Sequence, residues 1–253
     1  YHANDSSTSA LNELPTAYDY IRLGHPLSCV LEWGIAQLHN LKTENVISFS
    51  SATMPLLAIL RTNLLTNKNT RIVYTESLPH SFNEATLKEV YGYKFELERV
   101  DDLASLSAFD GSTVFISVEN TVSKTDLSEN IDFSIHEHGD LGSILLINGK
   151  QNDNYVSAIQ HVRRRESIAM TPANCIPALK SLVEQSAIVT FKGDTAADKA
   201  SVIQSIKNIT GSNTKALVGS SGLSVQYAIM MGLIDDAQRH HSGKAIKFIV
   251  PPN

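Results

Sequence analysis

The sequence is poor in the residue types that build metal clusters and disulfide frameworks. Among 253 residues it contains only two cysteines, Cys29 and Cys175. Two thiols cannot form a multi-bridge scaffold or a zinc cluster by themselves. Both lie in apolar stretches with helical spacing, so we predict that they are reduced core residues, and we expect a cytoplasmic protein.

An excess of positive charge and a long apolar run are also missing. The formal net charge is −5. Nucleic acids and acidic membranes attract basic surfaces, so we expect neither as a partner. No apolar run reaches the roughly 18 residues of a membrane span, and the first residues lack the pattern of a signal peptide. The one dense basic run, 163–165, is predicted to lie on a solvated helix face.

What the sequence does contain is an alternation of short β-rich stretches and longer helical ones. The predicted strands are 45–49, 71–74, 94–98, 112–118 and 143–147, and the predicted helices are 27–41, 54–65, 83–91, 101–109 and 127–139. Such an alternation is typical of parallel βαβ units in a sheet covered on both faces. The predicted fold class is therefore α/β, a three-layer α/β/α arrangement with a mainly parallel sheet.

The second part of the chain repeats this order in outline. Further helices are predicted at 155–165, 175–185, 198–210 and 223–236, and further strands at 186–190, 214–218 and 245–250. In both parts a helix and a strand precede a pair of serines, 50–51 and 220–221, and a helix and a strand follow it. This order indicates an internal duplication. We predict a polar tail (1–16), a first unit (17–186) and the start of a second, truncated unit (187–253).

A turn rich in glycine and serine, 219–223, joins a predicted strand to a predicted helix. The first N–H groups of a helix have no intrahelical acceptor and lie at the positive end of its dipole, where phosphate commonly binds. We therefore predict that Ser221, Gly222 and Leu223 bind a phosphate group. The alternative is a plain connection between two elements, since such turns also occur without a ligand.

Residues 16–60 carry a recognisable series of motifs. Tyr20 and Arg22 are followed by Gly24-His25-Pro26, a helix containing Leu31-Glu32, and a strand that enters Ser50-Ser51. This series resembles the cystathionine γ-synthase/methionine γ-lyase family of pyridoxal-phosphate (PLP) enzymes. That family has a Tyr-x-Arg beside a Gly-Asn-Pro-Thr, then a Leu-Glu helix and a strand entering a Ser-Gly-Met-type turn.

The resemblance extends in outline over residues 16–182, without close identity in any segment. It implies the large-domain fold of fold-type I PLP-dependent transferases, PLP as cofactor and an amino acid as substrate. It also implies association with another copy of the fold, as a homo-oligomer or with a second chain. Tyr20 and Arg22 fall where the family binds the cofactor phosphate of the neighbouring subunit. The alternative for this pair is a core tyrosine and a surface arginine.

The departures from the family concern the chemistry. Residues 132–148 match the family's Asp-Ile…Ala-His…Gly stretch and the strand after it, which ends in Asp-Asn and whose aspartate holds the protonated pyridine nitrogen. This chain has Ile147-Asn148 there, and 150–165 contains no Ser-x-Thr-Lys with the Schiff-base lysine. Lys150 comes too early. The turn 50–53 also lacks the family's glycine. No catalytic residue is therefore predicted.

Three hypotheses about function follow. The chain is part of a PLP-dependent lyase or transferase of sulfur amino-acid metabolism, or a non-catalytic domain that completes an active copy, or a small-molecule-binding α/β module. No metal site is expected, because His136 and His138 are predicted to lie two apart on a helix and to point to different faces.

Overall fold

The structure is a computed structural model that describes residues 24–125, 128–189, 193–219 and 221–249. Tyr20 and Arg22 lie outside the described residues. No helix in the described part of the chain is long and apolar enough to cross a membrane.

A six-stranded sheet lies at the centre of the described part of the chain. Its strands are β1 (Val46–Phe49), β2 (Thr70–Tyr74), β3 (Glu96–Arg99), β4 (Ser112–Val118), β5 (Phe133–Glu137) and β6 (Ser143–Ile147). Their order across the sheet is β1-β6-β5-β4-β2-β3. β6 runs antiparallel to both of its neighbours, and the other five strands share one direction. The predicted mainly parallel α/β sheet is confirmed.

Helices cover the sheet on both faces. They are α1 (Pro26–His39), α2 (Met54–Thr66), α3 (Asp153–Glu166), α4 (Pro172–Glu184), α5 (Thr195–Thr210) and α6 (Gly222–His240). α2 and α3 bury their apolar side chains on one face, and α1 and α4 bury theirs on the other. Cys175 is buried in the α1–α4 layer as predicted, whereas Cys29 is half-buried. Every residue of β1 and β6 is buried, as expected for strands covered on both sides.

The helix predicted at 127–139 is wrong, because residues 133–137 form β5. Phe133 and Ile135 alternate with polar residues and point into the α2–α3 core, which is the period of a strand. The β5–β6 connection is tight: Gly142 has φ 111°, and a Cβ there would lie 2.1 Å from the carbonyl oxygen of Phe49. Only glycine fits this position without strain.

Other predicted elements differ as well. The helix predicted at 101–109 is reduced to a short 3₁₀ turn, Leu103–Ser105, and the one at 83–91 contains a π-helical turn, Thr86–Val90. The described residues of the predicted strands 186–190, 214–218 and 245–250 are not strands. Isolated strands are unstable in water, and none of these described residues pairs with the sheet.

The predicted solvated face at 163–165 holds only for Arg164 and Arg165. Arg163 is buried, and its guanidinium donates a 2.5 Å hydrogen bond to Glu32, which is also buried. Glu32 accepts two more bonds, from the backbone N–H (2.8 Å) and hydroxyl (2.7 Å) of Ser48. This pair joins α1, β1 and α3 because a charge is stable in the interior only when it is paired and hydrogen-bonded.

Candidate functional site

A cavity of about 170 Å³ opens at the edge of the sheet where β1, β2, β4 and β5 end. Parallel α/β sheets commonly bind ligands at this carboxyl edge. The start of α2 forms one wall, the segment 79–91 forms another, and Ile116 and Ile135 form the floor. We name this space the edge cavity. Most of its lining is apolar, with Thr53, Ser81 and Asn83 among its polar residues.

The N-terminus of α2 is closed by its own chain. The Ser51 hydroxyl accepts hydrogen bonds from the N–H groups of Thr53 (3.3 Å) and Met54 (3.2 Å). The Ser51 carbonyl in turn accepts a 2.6 Å bond from the Ser143 hydroxyl, which anchors the turn to β6. Two N–H groups that could bind an anion at this helix end are therefore already occupied.

An acidic residue that the sequence did not indicate lies beside the edge cavity. Glu137 ends β5 and is on the same face of the strand as Ile135. The hydroxyl of Ser81, a cavity residue, donates a 3.3 Å hydrogen bond to Glu137 Oε2. Burial raises the pKa of Glu137 above its ordinary value, partly offset by this bond. The side chain can bind a ligand N–H or hold a proton; the apolar–polar alternation of 133–137 was the signal that could have revealed it.

The residue matched to the family's aspartate lies elsewhere. Because β6 runs against the other strands, its end at Ile147-Asn148 is at the opposite edge of the sheet from the edge cavity. Asn148 there donates hydrogen bonds to the carbonyls of Ile131 (2.9 Å) and Ser128 (3.2 Å), a structural role. Lys150 follows in a turn at the same far edge. The resemblance over 132–148 therefore does not bring Ile147-Asn148 to the edge cavity.

The residues of the edge cavity do not fit PLP held through a lysine. Among the described residues that line it there is no lysine, and two N–H groups at the start of α2 are already bound by the Ser51 hydroxyl. Among the described residues beside the edge cavity, Glu137 is an acidic group that suits a protonated ring nitrogen.

The three residues predicted to bind phosphate, 221–223, lie together at the start of α6 and outside the lining of the edge cavity. Ser221 is the N-cap of α6, accepting a 3.1 Å bond from the N–H of Ser224, and Gly222 and Leu223 are the first helical residues. The Ser221 hydroxyl donates to the carbonyl of Arg165 (3.1 Å), so the turn packs against the end of α3. Binding of phosphate here stays a prediction, as does the role of Tyr20 and Arg22.

An aromatic cluster connects α6 to the edge cavity. Tyr91, a cavity residue, stacks on Tyr93 with ring centroids 5.6 Å apart, and the Tyr227 ring of α6 lies 5.9 Å from Tyr91. The Arg61 guanidinium lies 4.9 Å from the centre of the Tyr227 ring and is paired with Glu166 by hydrogen bonds of 2.5 and 2.9 Å. Burial raises the pKa of Tyr93.

A second cavity, of about 290 Å³, lies on the opposite face of the sheet, between α1, the loop 119–125 and strands β5 and β6. Three of its lining residues are histidines, so we name it the histidine cavity; they are His39, His136 and His138. The prediction that His136 and His138 lie on different faces of a helix is wrong: they lie two apart in and after a strand and line one cavity. The described residues contain no group of three or more side chains that could hold a metal ion.

The two strand histidines are buried and neutral. The Ser117 hydroxyl lies 2.8 Å from His136 Nδ1, and His138 Nδ1 donates to the carbonyl of Glu119 at 3.2 Å. Burial lowers the pKa of His136 to about 3, with smaller contributions from His138 and His39, and burial lowers that of His138 to about 4. Both imidazoles therefore remain uncharged at neutral pH.

No protein-family model matches the sequence, and no curated protein matches it. Among solved structures, the putative L-allo-threonine aldolase of Listeria monocytogenes EGD-E is similar over 80% of this chain and 67% of its own, at 15% identity and a TM-score of 0.42. Cystathionine γ-lyase from Lactobacillus plantarum, complexed with L-serine, is similar over 66% of this chain and 54% of its own (13% identity, TM-score 0.44). Cystathionine γ-synthase from Xanthomonas oryzae pv. oryzae is similar over 66% of this chain and 53% of its own (14% identity, TM-score 0.43). The chain thus spans just over half the length of the last two proteins.

Proposed function

We propose that this chain is a non-catalytic part of a PLP-dependent lyase or transferase of sulfur amino-acid metabolism. In this proposal the chain contributes the α/β scaffold, and a lysine outside it carries the reaction, in another part of the protein or in another copy of the fold. The series of motifs over residues 16–182 supports the family, and the mainly parallel sheet agrees with the fold that the motifs imply. The expected partner is an amino-acid substrate or another copy of the fold.

The observation that carries the non-catalytic assignment is the composition of the edge cavity. A lysine that forms an imine must reach the ligand and must be neutral, which requires burial or a neighbouring positive charge. None of the described residues lining the edge cavity is a lysine. Lys150 lies at the opposite edge of the sheet, and Lys180 is on α4, which packs on the other face.

A small-molecule-binding module is the second candidate, and Glu137 favours it. A carboxyl group with a raised pKa beside a mostly apolar cavity suits a small ring with a basic nitrogen. In this case the residues around the edge cavity bind and orient a ligand, and no covalent bond to the protein forms.

Reductive trapping tests the proposal. The chain is mixed with PLP, treated with borohydride and mapped by peptide mass spectrometry. We expect scattered, substoichiometric labelling of lysines or none. One lysine labelled stoichiometrically would overturn the proposal and show that the chain is itself a catalyst.

A parallel titration with pyridoxamine phosphate, which carries an amine and forms no imine with lysine, separates the two candidates. Binding that shifts the NMR signals of Ile135 and is weakened by Glu137→Gln, but not by the exposed control Glu129→Gln, favours the binding module. The absence of such binding favours the non-catalytic scaffold.

A further inference from the structure

The histidine cavity is independent of the edge cavity. Neighbouring residues of a strand point to opposite faces, so Ile135 lines the edge cavity and His136 lines the histidine cavity. Ile35, Ile144 and Leu146 give the histidine cavity an apolar lining on the side of α1 and β6. Its volume is close to the lower end of the range for small-molecule sites, about 300 Å³.

The polar lining of this cavity comes mainly from the loop 119–125. It supplies three hydroxyl groups, those of Thr121, Ser123 and Thr125, and one acidic and one basic side chain, Glu119 and Lys124. The histidines add no charge at neutral pH, because burial lowers the pKa of each of them. The cavity therefore presents one negative and one positive group beside an apolar surface.

Hydrogen bonds fix the loop at both ends and in the middle. At its start the Glu119 N–H donates to the Glu137 carbonyl (2.8 Å). At its end the Thr125 N–H donates to His39 Nε2 (3.0 Å), and His39 Nδ1 donates to the Ile35 carbonyl (2.9 Å). The Val122 N–H donates to the hydroxyl of Ser181 on α4 (2.9 Å). Because the backbone is already ordered, a ligand would not have to order it on binding.

We propose that the histidine cavity binds a small zwitterionic amino acid with an apolar side chain. The ligand ammonium pairs with Glu119, and its carboxylate pairs with Lys124 and the loop hydroxyls. The side chain packs on Ile35, Ile144 and Leu146. Charged groups of opposite sign on one fixed loop suit a molecule that carries both charges, and charge-assisted hydrogen bonds are the stronger ones. This site goes beyond the proposed function and does not depend on it, because it lies on the other face of the sheet.

Three probes with the same branched hydrocarbon part test the assignment: L-leucine, isoamylamine and 4-methylpentanoate. Each is titrated into the full chain, and binding is followed by the methyl NMR signals of Ile144 and Leu146. We expect leucine to shift these signals and to bind about tenfold more tightly than the amine or the acid, because each of those lacks one of the two charged groups.

Variants with matched controls make the test specific. Lys124→Gln and Glu119→Gln should each weaken leucine binding about tenfold. Lys150 and Glu129 are exposed and lie outside the cavity lining, so the control variants Lys150→Gln and Glu129→Gln should leave leucine binding unchanged. All four positions are exposed or half-buried, so the variants should fold.

Several outcomes overturn the proposal. If 4-methylpentanoate binds as tightly as leucine, the site recognises only the carboxylate. If isoamylamine binds as tightly as leucine, the site recognises only the ammonium group. If none of the probes shifts the Ile144 and Leu146 signals, the cavity is not a binding site for this class. None of these results affects the lysine-trapping experiment, so failure here and failure of the proposed function are distinguishable.

Discussion

The buried imidazoles of His136 and His138 make the stability of the folded protein depend on pH. Only about 5% of either side chain is exposed. His136 Nε2 has no hydrogen-bond partner among the described residues. A buried polar atom without a hydrogen-bond partner lowers the free energy of unfolding by about 1–3 kcal/mol, so the unpaired Nε2 of His136 destabilises the folded protein. Protonation would add a charge in the same place, which is why burial lowers the pKa of each group.

The free energy of unfolding should therefore fall as the pH is lowered from about 6.5 towards 4. In this window the imidazoles of the unfolded chain, with the ordinary pKa of 6.5, take up protons, whereas native His136 (pKa about 3) and His138 (about 4) do not. Each of the two imidazoles changes the free energy of unfolding by up to about 1.4 kcal/mol per pH unit in this window. Above pH 6.5 its contribution to stability is constant. Urea unfolding at a series of pH values measures this slope.

The free energy of unfolding of the His136→Gln variant should depend less steeply on pH than that of the unaltered chain. The difference should correspond to about one fewer proton taken up on unfolding, whatever the overall stability of the variant. The exposed His80→Gln variant is the control for the loss of one histidine. An unchanged slope for His136→Gln would contradict the assignment of a neutral, buried His136.

Local sequence predicts poorly which polar residues are buried. The run 163–165 has the composition of a solvated helix face, yet Arg163 lies in the core because Glu32, 131 positions earlier, accepts its hydrogen bond. Glu137 was missed for the same kind of reason, since its environment comes from Ser81 on a distant segment. Such pairings depend on tertiary contacts: the alternation of 133–137 indicates which face Glu137 is on, but not that Ser81 lies beside it.

At the scale of elements, hydrophobic periodicity predicted most of the sheet. β1, β2, β4 and β6 were predicted within two residues of their bounds, because buried strands of a parallel sheet are nearly continuous runs of Val, Ile, Leu and Phe. β5 was missed because 127–139 was predicted as one helix, and its polar residues Ser134 and His136 are buried, which their residue types do not indicate. Its alternation of Phe and Ile with polar residues has the correct period of two.

Helix α6 is held to the rest of the protein mainly by Tyr227. None of the α6 residues is buried. The Tyr227 ring nevertheless lies against Arg61 and Tyr91, and the Ser221 cap bonds to Arg165. Elements with few buried contacts open at low free energy, so this cluster should control the local stability of α6.

Replacing Tyr227 with alanine should release α6 from the sheet-bearing part of the molecule. Hydrogen exchange of the α6 amides should become about tenfold faster, because a ring–guanidinium contact of this kind is worth about 1 kcal/mol and the Tyr91 contact is lost with it. The Tyr227→Phe variant keeps the ring and should retain most of the protection. If α6 exchanges at the same rate in the alanine variant, the helix is held by other contacts.

For the whole molecule, the hydrophobic core divides the chain unequally. None of the described residues between 193 and 249 belongs to the three buried clusters, which are built entirely from residues before 190. Apolar side chains of this last part are largely exposed, among them Ile229 (56%), Leu233 (58%) and Phe248 (54%). This distribution agrees with a boundary near residue 186, although the predicted division into 17–186 and 187–253 stays a prediction.

A chain that ends at residue 189 should therefore fold by itself. It keeps all six strands, the four helices that cover them and the Glu32–Arg163 pair, and it loses only surface contacts such as those of Tyr227. Urea unfolding should remain cooperative, with a free energy of unfolding within about 2 kcal/mol of that of the full chain, since surface changes are individually small.

The matched control is a chain that ends at residue 166. It lacks α4, whose Cys175 and Ala178 complete the α1 side of the core, and it should not fold cooperatively. If the chain ending at residue 189 instead unfolds without a cooperative transition, then α5 and α6 are integral to one domain, and the division of the molecule into two units is wrong.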